Sequence, residues 1–371
     1  MGIRPTASVG ELRSCKKPGM KLRNMIPFVL FLAVLLCASC RGQGAQGSTA
    51  TSTASTADRT NGGGQGEPTA SSERQSEKPT SPESPGQPGT PDKTGATDVD
   101  LILFMGQSNM AGRGSYAESA TVGEGHAYEF RAVSDPTKLY PLQANFGLNE
   151  NTKGGADDGS KKTGSLVPAF CESYFQATGT PVVAVSCSQG GTRIDQWQTG
   201  GGKLEDAVAR LSAAKRFLDA SEDYRIRRIY MVWCQGESDA RNRTTAERYL
   251  ELTKAMYGVM QSAGVEQCFL IGIGNYNGTE DPKDSFVYIQ EAQKKLCAES
   301  ADFLLVSTSF ANLRDRMKDD FHFFQDAYNL VGTEAGSAAG AWVRAQNGGS
   351  GLQFSDYDNA HRDSVTWKQN G

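Results

Sequence analysis

The sequence predicts an α/β fold: a three-layer α/β/α sandwich around a central, mostly parallel sheet of five strands. Three observations carry this. Short apolar runs recur along residues 98–371, as strands buried on both faces require. Longer amphipathic segments separate them, as crossovers between parallel strands must. No second linker and no internal repeat interrupts the alternation, so this stretch reads as one domain.

Leu101–Met105 is five apolar residues and predicts the first strand. Val167–Ala177 predicts a helix with Phe170, Tyr174 and Phe175 on its apolar side. Val182–Ser186 predicts a strand and Leu204–Leu218 a helix. Ile229–Trp233 predicts a strand, Thr245–Ser262 a helix, and Cys268–Ile273 a strand. Ser285–Cys297 predicts a helix, Phe303–Val306 the last strand, and Asp326–Val343 the last helix. Residues 144–165 are rich in Gly, Asn and Lys and read as a lid or a solvated insertion.

Each strand ends in an unusual loop. GQSNMAG comes after the first, SQGGTRIDQW after the second, CQGESDA after the third, GNYNG after the fourth and KDDFHFF after the last. Small polar residues in one loop are ordinary turn chemistry. Ligands, however, bind at the carboxyl ends of strands in an open parallel sheet, so five such segments should converge on one edge.

Ser108 within GQSN is a candidate nucleophile, and a serine nucleophile needs a base, normally an imidazole. The chain has three histidines, His126, His322 and His361. His322 lies beyond the last strand, with Asp319 three residues before it to orient the ring and stabilise its cation. An acyl transfer also needs fixed donors at the developing oxyanion, and glycines let backbone N–H groups come close. Small neighbours around Ser108 leave room for a tetrahedral intermediate.

These motifs resemble those of SGNH/GDSL-type hydrolases, and more narrowly the sialate O-acetylesterase-like and family 6 carbohydrate esterase group. GQSNMAG, GGTRIDQW, QGESDA and DDFH agree in order and spacing over about residues 99–342. The resemblance implies an SGNH hydrolase fold of the flavodoxin-like kind and a serine esterase that removes O-acetyl groups from carbohydrates through an acyl-enzyme. It implies Ser108 as nucleophile, His322 as general base and Asp319 as its partner; the adjacent Asp320 is the alternative. It implies oxyanion donors from the N–H of Ser108 and of Gly190 or Gly191. Many such enzymes use an asparagine as third donor; here the block reads QGES, making Gln235 the expected replacement. Gln107, Asn109, Arg193 and Glu237 are candidate substrate contacts. For Glu237 the alternative is capping of the helix after it; for Arg193 and Trp197 it is packing of their loop. Tyr276 and Asn277 are candidate rim contacts, and Trp233 a core residue.

No cofactor or metal is expected: Cys171, Cys187, Cys234, Cys268 and Cys297 are widely spaced and lack CxxC. They read as small hydrophobes on apolar elements. The formal charge of −4 over 371 residues, without a basic cluster among aromatics, gives no support to nucleic-acid binding.

The first 97 residues stand outside the fold. Lys21 and Arg23 precede an apolar core, Ile26–Leu36, of signal-peptide length. Ala38-Ser39-Cys40 then resembles a bacterial lipobox, although Cys37 stands where leucine is usual. Residues 1–40 are therefore read as a lipoprotein signal with Cys40 lipidated, and Met20 is an alternative start. The competing reading is an ordinary signal cleaved near Ser39. Residues 41–97 carry almost no large apolar side chain, too little to offset their ordering entropy. They read as a linker with a root-mean-square span of about 40 Å. The expected partners are an acetylated carbohydrate and, through the anchor, a membrane, with the protein exported to face the periplasm or cell exterior. Two other functions fit: an SGNH esterase on a non-sugar ester, and a glycan-binding surface lipoprotein without turnover. Acetate release separates the three.

Overall fold

In the computed structural model, residues 93–279, 283–346 and 348 are described, all within one compact unit, residues 83–371. The signal, Cys40 and nearly all of the linker lie outside them, as does His361. The folded part starts before residue 98: Thr97 opens the first strand, and Lys93 Nζ donates to Leu218 O and Tyr224 O at 2.8 and 3.0 Å.

In chain order the principal elements are β1 (Thr97–Gly106), α1 (Ser108–Ala111), β2 (Ala127–Arg131), β3 (Asp135–Pro141), α2 (Val167–Thr178), β4 (Val182–Ser188), α3 (Gly202–Ala220), β5 (Tyr224–Cys234), α4 (Glu237–Arg241), α5 (Ala246–Ser262), β6 (Gln267–Ile271), α6 (Lys283–Glu299), β7 (Phe303–Ser307) and α7 (Gln325–Gln346). The sheet runs β3-β2-β4-β1-β5-β6-β7. Six strands are parallel; β3 alone is antiparallel, to β2. The sheet thus has seven strands, not five. The two additions form one edge, where burial on both faces is not required. They read AYEFR and DPTKLYP, with charges and prolines that edge strands tolerate and apolar-run reasoning passes over.

Central β1 shows why the fold has three layers. Its side chains alternate between faces. Leu101, Leu103 and Met105 join one core with Leu204, Leu211, Met256 and Ile289 from α3, α5 and α6. Ile102 and Phe104 join the other with Phe170, Tyr174, Tyr328 and Val331 from α2 and α7. Each fully buried Leu, Ile or Phe contributes about 1.5–3 kcal/mol. An exposed ion pair such as Arg248–Glu251 contributes about 0–1 kcal/mol, so the apolar pattern decides the architecture. Helices α2 and α7 approach unusually closely: a Cβ on Gly336 would lie 2.2 Å from Phe170 O, a contact only glycine permits.

Residues 144–165 do not form a solvated insertion. Phe146, Glu150, Ala156, Asp158 and Lys162 are all buried. Arg210 donates to Glu150 O and Ala156 O, and Lys162 Nζ to Glu150 O. Burial pushes the Lys162 ammonium down to about 8. The five cysteines of the domain are free thiols, four of them buried.

Candidate active site

Backbone hydrogen bonds carry the sheet slightly beyond its strand ends. Gln107 N donates to Cys234 O and Gln189 N to Gly106 O, each at 3.0 Å. These bonds hold the start of α1 between the loops after β4 and β5, on either side of β1 where the strand order changes direction. Ser108 is the first residue of α1 and is 5% exposed. Its N–H and that of Gly191 have no acceptor among the described residues.

His322 Nε2 lies 2.9 Å from Ser108 Oγ, and its Nδ1 lies 2.9 Å from Asp319 Oδ2. An ionised carboxylate cannot donate, so the ring proton sits on Nδ1 and Nε2 accepts from the serine hydroxyl. Asp319 Oδ1 also accepts the N–H groups of Phe321 and His322, at 2.9 and 2.8 Å. Burial alone would raise the Asp319 carboxyl. The Phe321 N–H, the His322 ring and the His322 N–H outweigh burial and hold it below the ordinary carboxylate value. Asp320 turns elsewhere: its Oδ2 accepts from Tyr276 Oη at 3.3 Å. The arrangement can move a proton from a hydroxyl to a ring whose cation is stabilised from behind.

Several expected contacts prove internal. Asn109 is fully buried. Its Nδ2 donates to Glu237 Oε1 and Phe321 O at 2.5 and 3.2 Å, and its Oδ1 accepts from Tyr328 Oη at 2.8 Å. Asn109 is therefore no substrate contact; it ties the residue beside Ser108 to the residue beside His322. Glu237, 2% exposed, is not one either. Burial raises its carboxyl, against its bond from Asn109. Arg193 is half-buried, with its guanidinium paired to Asp195 at 2.6 Å. Trp197 packs its loop, fully buried against Trp233, and Trp233 is core. Tyr276 is 4% exposed, and Asn277 Oδ1 accepts from Arg314 Nε.

The expected donors also change. Gln235 is fully buried. Its Nε2 reaches Asp239 Oδ2 at 2.5 Å, Thr192 O at 2.9 Å and Gln107 Oε1 at 3.3 Å. Its two protons are spent inside the protein, and it is not free to meet an oxyanion. Gly190 N donates to Asp158 Oδ1 at 3.2 Å, so of the two glycines only Gly191 keeps an uncommitted N–H. Gln107 Oε1 accepts from Gly236 and Ser238, while its Nε2 has no acceptor among the described residues.

Three residues beside the dyad escaped sequence reasoning. Arg113 and Asp158 pair at 2.7 Å against Gly190. Arg113 ends the GQSNMAGR stretch, but nothing local marks Asp158, 45 residues on. Phe324 is 52% exposed although Phe323 is fully buried. Met317 and Phe323 form an antiparallel bridge; Lys318 N donates to His322 O and Phe324 N to Arg316 O, each at 2.9 Å. Side chains alternate in such backbone, so Phe324 lies on the same side as His322. Its signal was that alternation after DxxH.

The chain is similar to known proteins in both sequence and structure. The sequence profile of a family described as carbohydrate esterase, sialic acid-specific acetylesterase, matches residues 98–340. Similar solved structures include a protein from Arabidopsis thaliana, at 18% identity and a TM-score of 0.49, covering 65% of this chain and 98% of that one. NanS is similar at 14% identity and a TM-score of 0.47, covering 67% of this chain and 99% of its own. A carbohydrate acetylesterase from Xanthomonas citri is similar at 17% identity and a TM-score of 0.43, covering 65% of this chain and 55% of that one. No curated protein sequence matches.

Proposed function

The chain belongs to the carbohydrate esterase, sialic acid-specific acetylesterase family and is a carboxylic ester hydrolase; we propose that it removes O-acetyl groups from a glycan through an acetyl-enzyme on Ser108. The observation that carries this reading is the unbroken relay Ser108–His322–Asp319, with both contacts to the ring at 2.9 Å. Ser108 Oγ attacks the acetyl carbonyl carbon as its proton passes to His322 Nε2. The negative charge on the carbonyl oxygen meets the N–H groups of Ser108 and Gly191. Collapse breaks the ester bond, and the leaving sugar oxygen takes the proton from His322. A water then gives a proton to His322 and attacks the acetyl carbon. Acetate departs and the proton returns to Ser108.

Two further features support a sugar ester. Phe324, two residues after His322, is exposed, and its ring offers an apolar face to a pyranose. The family description itself names carbohydrates. The same reading extends to location: Cys40 is lipidated, and the chain from there to residue 92 holds the esterase clear of the membrane.

The test is acetate release from O-acetylated sialic acid and from acetylated xylan. The full chain should release acetate from at least one. Ser108→Ala and His322→Ala should each abolish most turnover in a folded protein, and the double variant should lose little more, because the two act as a unit. Near-normal turnover by folded Ser108→Ala would overturn the assignment. Hydrolysis of p-nitrophenyl acetate without release from any glycan would point to a non-sugar ester.

A further inference from the structure

We propose that Asp158, paired with Arg113, is a positioning residue: it holds the Gly190–Gly191 turn so that the Gly191 N–H faces the developing oxyanion. This rests on the acyl-transfer reading above.

The turn is pressed against the serine. A Cβ on Gly190 would lie 3.2 Å from Ser108 Cβ, 3.2 Å from Asp158 Oδ1 and 2.4 Å from Arg113 Nη2. Arg113, Asp158 and Ser108 therefore surround this glycine, and a larger residue there would displace the Arg113 guanidinium and press on the other two. Gly191 adopts φ +73°, and two consecutive glycines have the greatest backbone freedom of any pair. Something outside the turn must choose their orientation. Thr192 anchors the far side, with its carbonyl bound by Gln235 and its hydroxyl donating to Gln189 O at 2.9 Å. Among the described residues, Asp158 is the one side chain hydrogen-bonded to the backbone of Gly190 or Gly191.

The carboxylate divides its two oxygens. Oδ1 takes the Gly190 N–H and Oδ2 takes Arg113 Nη2. Arg113 Nη1 donates to Gly112 O, at the end of α1, and to Lys161 O, at 2.7 and 3.0 Å. The Asp158 side chain is only 4% exposed and that of Arg113 14%. A lone carboxylate this close to Ser108 would repel the oxyanion; Arg113 neutralises it while tying the serine's helix to Asp158's segment. Spending the Gly190 N–H on Asp158 orients the turn and leaves the next N–H, that of Gly191, for the substrate.

The test uses the full chain, p-nitrophenyl acetate and its thionoacetate analogue. Sulfur is larger and a weaker acceptor than oxygen, so a well-formed oxyanion site favours the oxygen ester. Asp158→Asn is near-isosteric, but it removes the charge that meets Arg113 and turns an NH2, itself a donor, toward either the Gly190 N–H or Arg113 Nη2. Its kcat should fall about 10- to 100-fold, less than loss of a direct donor, with KM little changed. The oxygen-to-sulfur rate ratio should shrink. Asp158→Ala should do the same more strongly if it folds; if it does not, Asp158→Asn decides. A normal kcat in folded Asp158→Asn, or a reduced kcat with an unchanged ratio, overturns the proposal, because general loosening slows both esters alike. Full activity of Ser108→Ala would remove the acyl-transfer reading and this proposal together, a pattern distinct from either of those results.

Discussion

Around Ser108, two glutamines differ in whether their amide protons are already committed. Gln235 gives its Nε2 protons to Asp239, Thr192 and Gln107, whereas Gln107 uses only its oxygen. The residue type at 235 suggested a donor, and the hydrogen bonds identify a brace. The two should therefore respond differently to truncation. Gln107→Ala should lower kcat with KM nearly constant, by about a hundred- to thousand-fold if its amide meets the oxyanion. Gln235→Ala should lower the melting temperature and disturb kcat and KM together, because it releases the carbonyl of Thr192. Measuring kcat, KM and Tm for both variants checks this; a normal kcat in folded Gln107→Ala would exclude it as a donor.

Helix α4 is a short element with a buried carboxylate at its start. Glu237 is held by Asn109, and Asn109 also holds the carbonyl before His322. Burial raises the Glu237 carboxyl above its ordinary 4.5, and Asp239 adds to the effect. The folded state thus binds this proton more tightly than the unfolded chain. The resulting stability is fully present below the unfolded value, declines as pH rises through it, and levels off above the raised folded value. Glu237→Gln removes that titration. The variant should gain in Tm relative to the parent as pH rises from below 4.5 toward neutrality. Calorimetry over that range checks it, and parallel Tm curves for the two proteins would show that Glu237 does not carry this linkage.

At the scale of the whole molecule, the proposed anchor determines where the esterase works. The anchor reading predicts that metabolically supplied fatty acid labels the parent and not Cys40→Ser. The variant should move from the membrane fraction to the soluble one while keeping its esterase activity. Several acyl chains anchor durably, whereas a single one is marginal and reversible, so partial release of the parent on dilution and washing would argue against the full modification. An unlabelled, soluble parent would reject the anchor.

The sequence by itself determined five of the seven strands and their crossover helices. Strands buried on both faces must be continuous apolar runs, and Leu101–Met105 or Ile229–Trp233 can be little else. It also marked Ser108 and the Asp319–His322 step, because few residue types activate a hydroxyl and the chain has only three histidines. The tertiary structure decided the rest. β2 and the edge strand β3 carry more polar residues and become strands only by pairing with β4 and with each other. Asp319 rather than Asp320 faces the ring because Tyr276, on another loop, takes Asp320. Asn109 and Glu237, which look like site residues, are buried in each other's company. The brace on the Gly190–Gly191 turn joins Arg113, Asp158 and Gly190. Local pattern encodes burial and backbone preference, whereas the partner of a buried polar group is chosen by the register of strands and loops far apart in the chain.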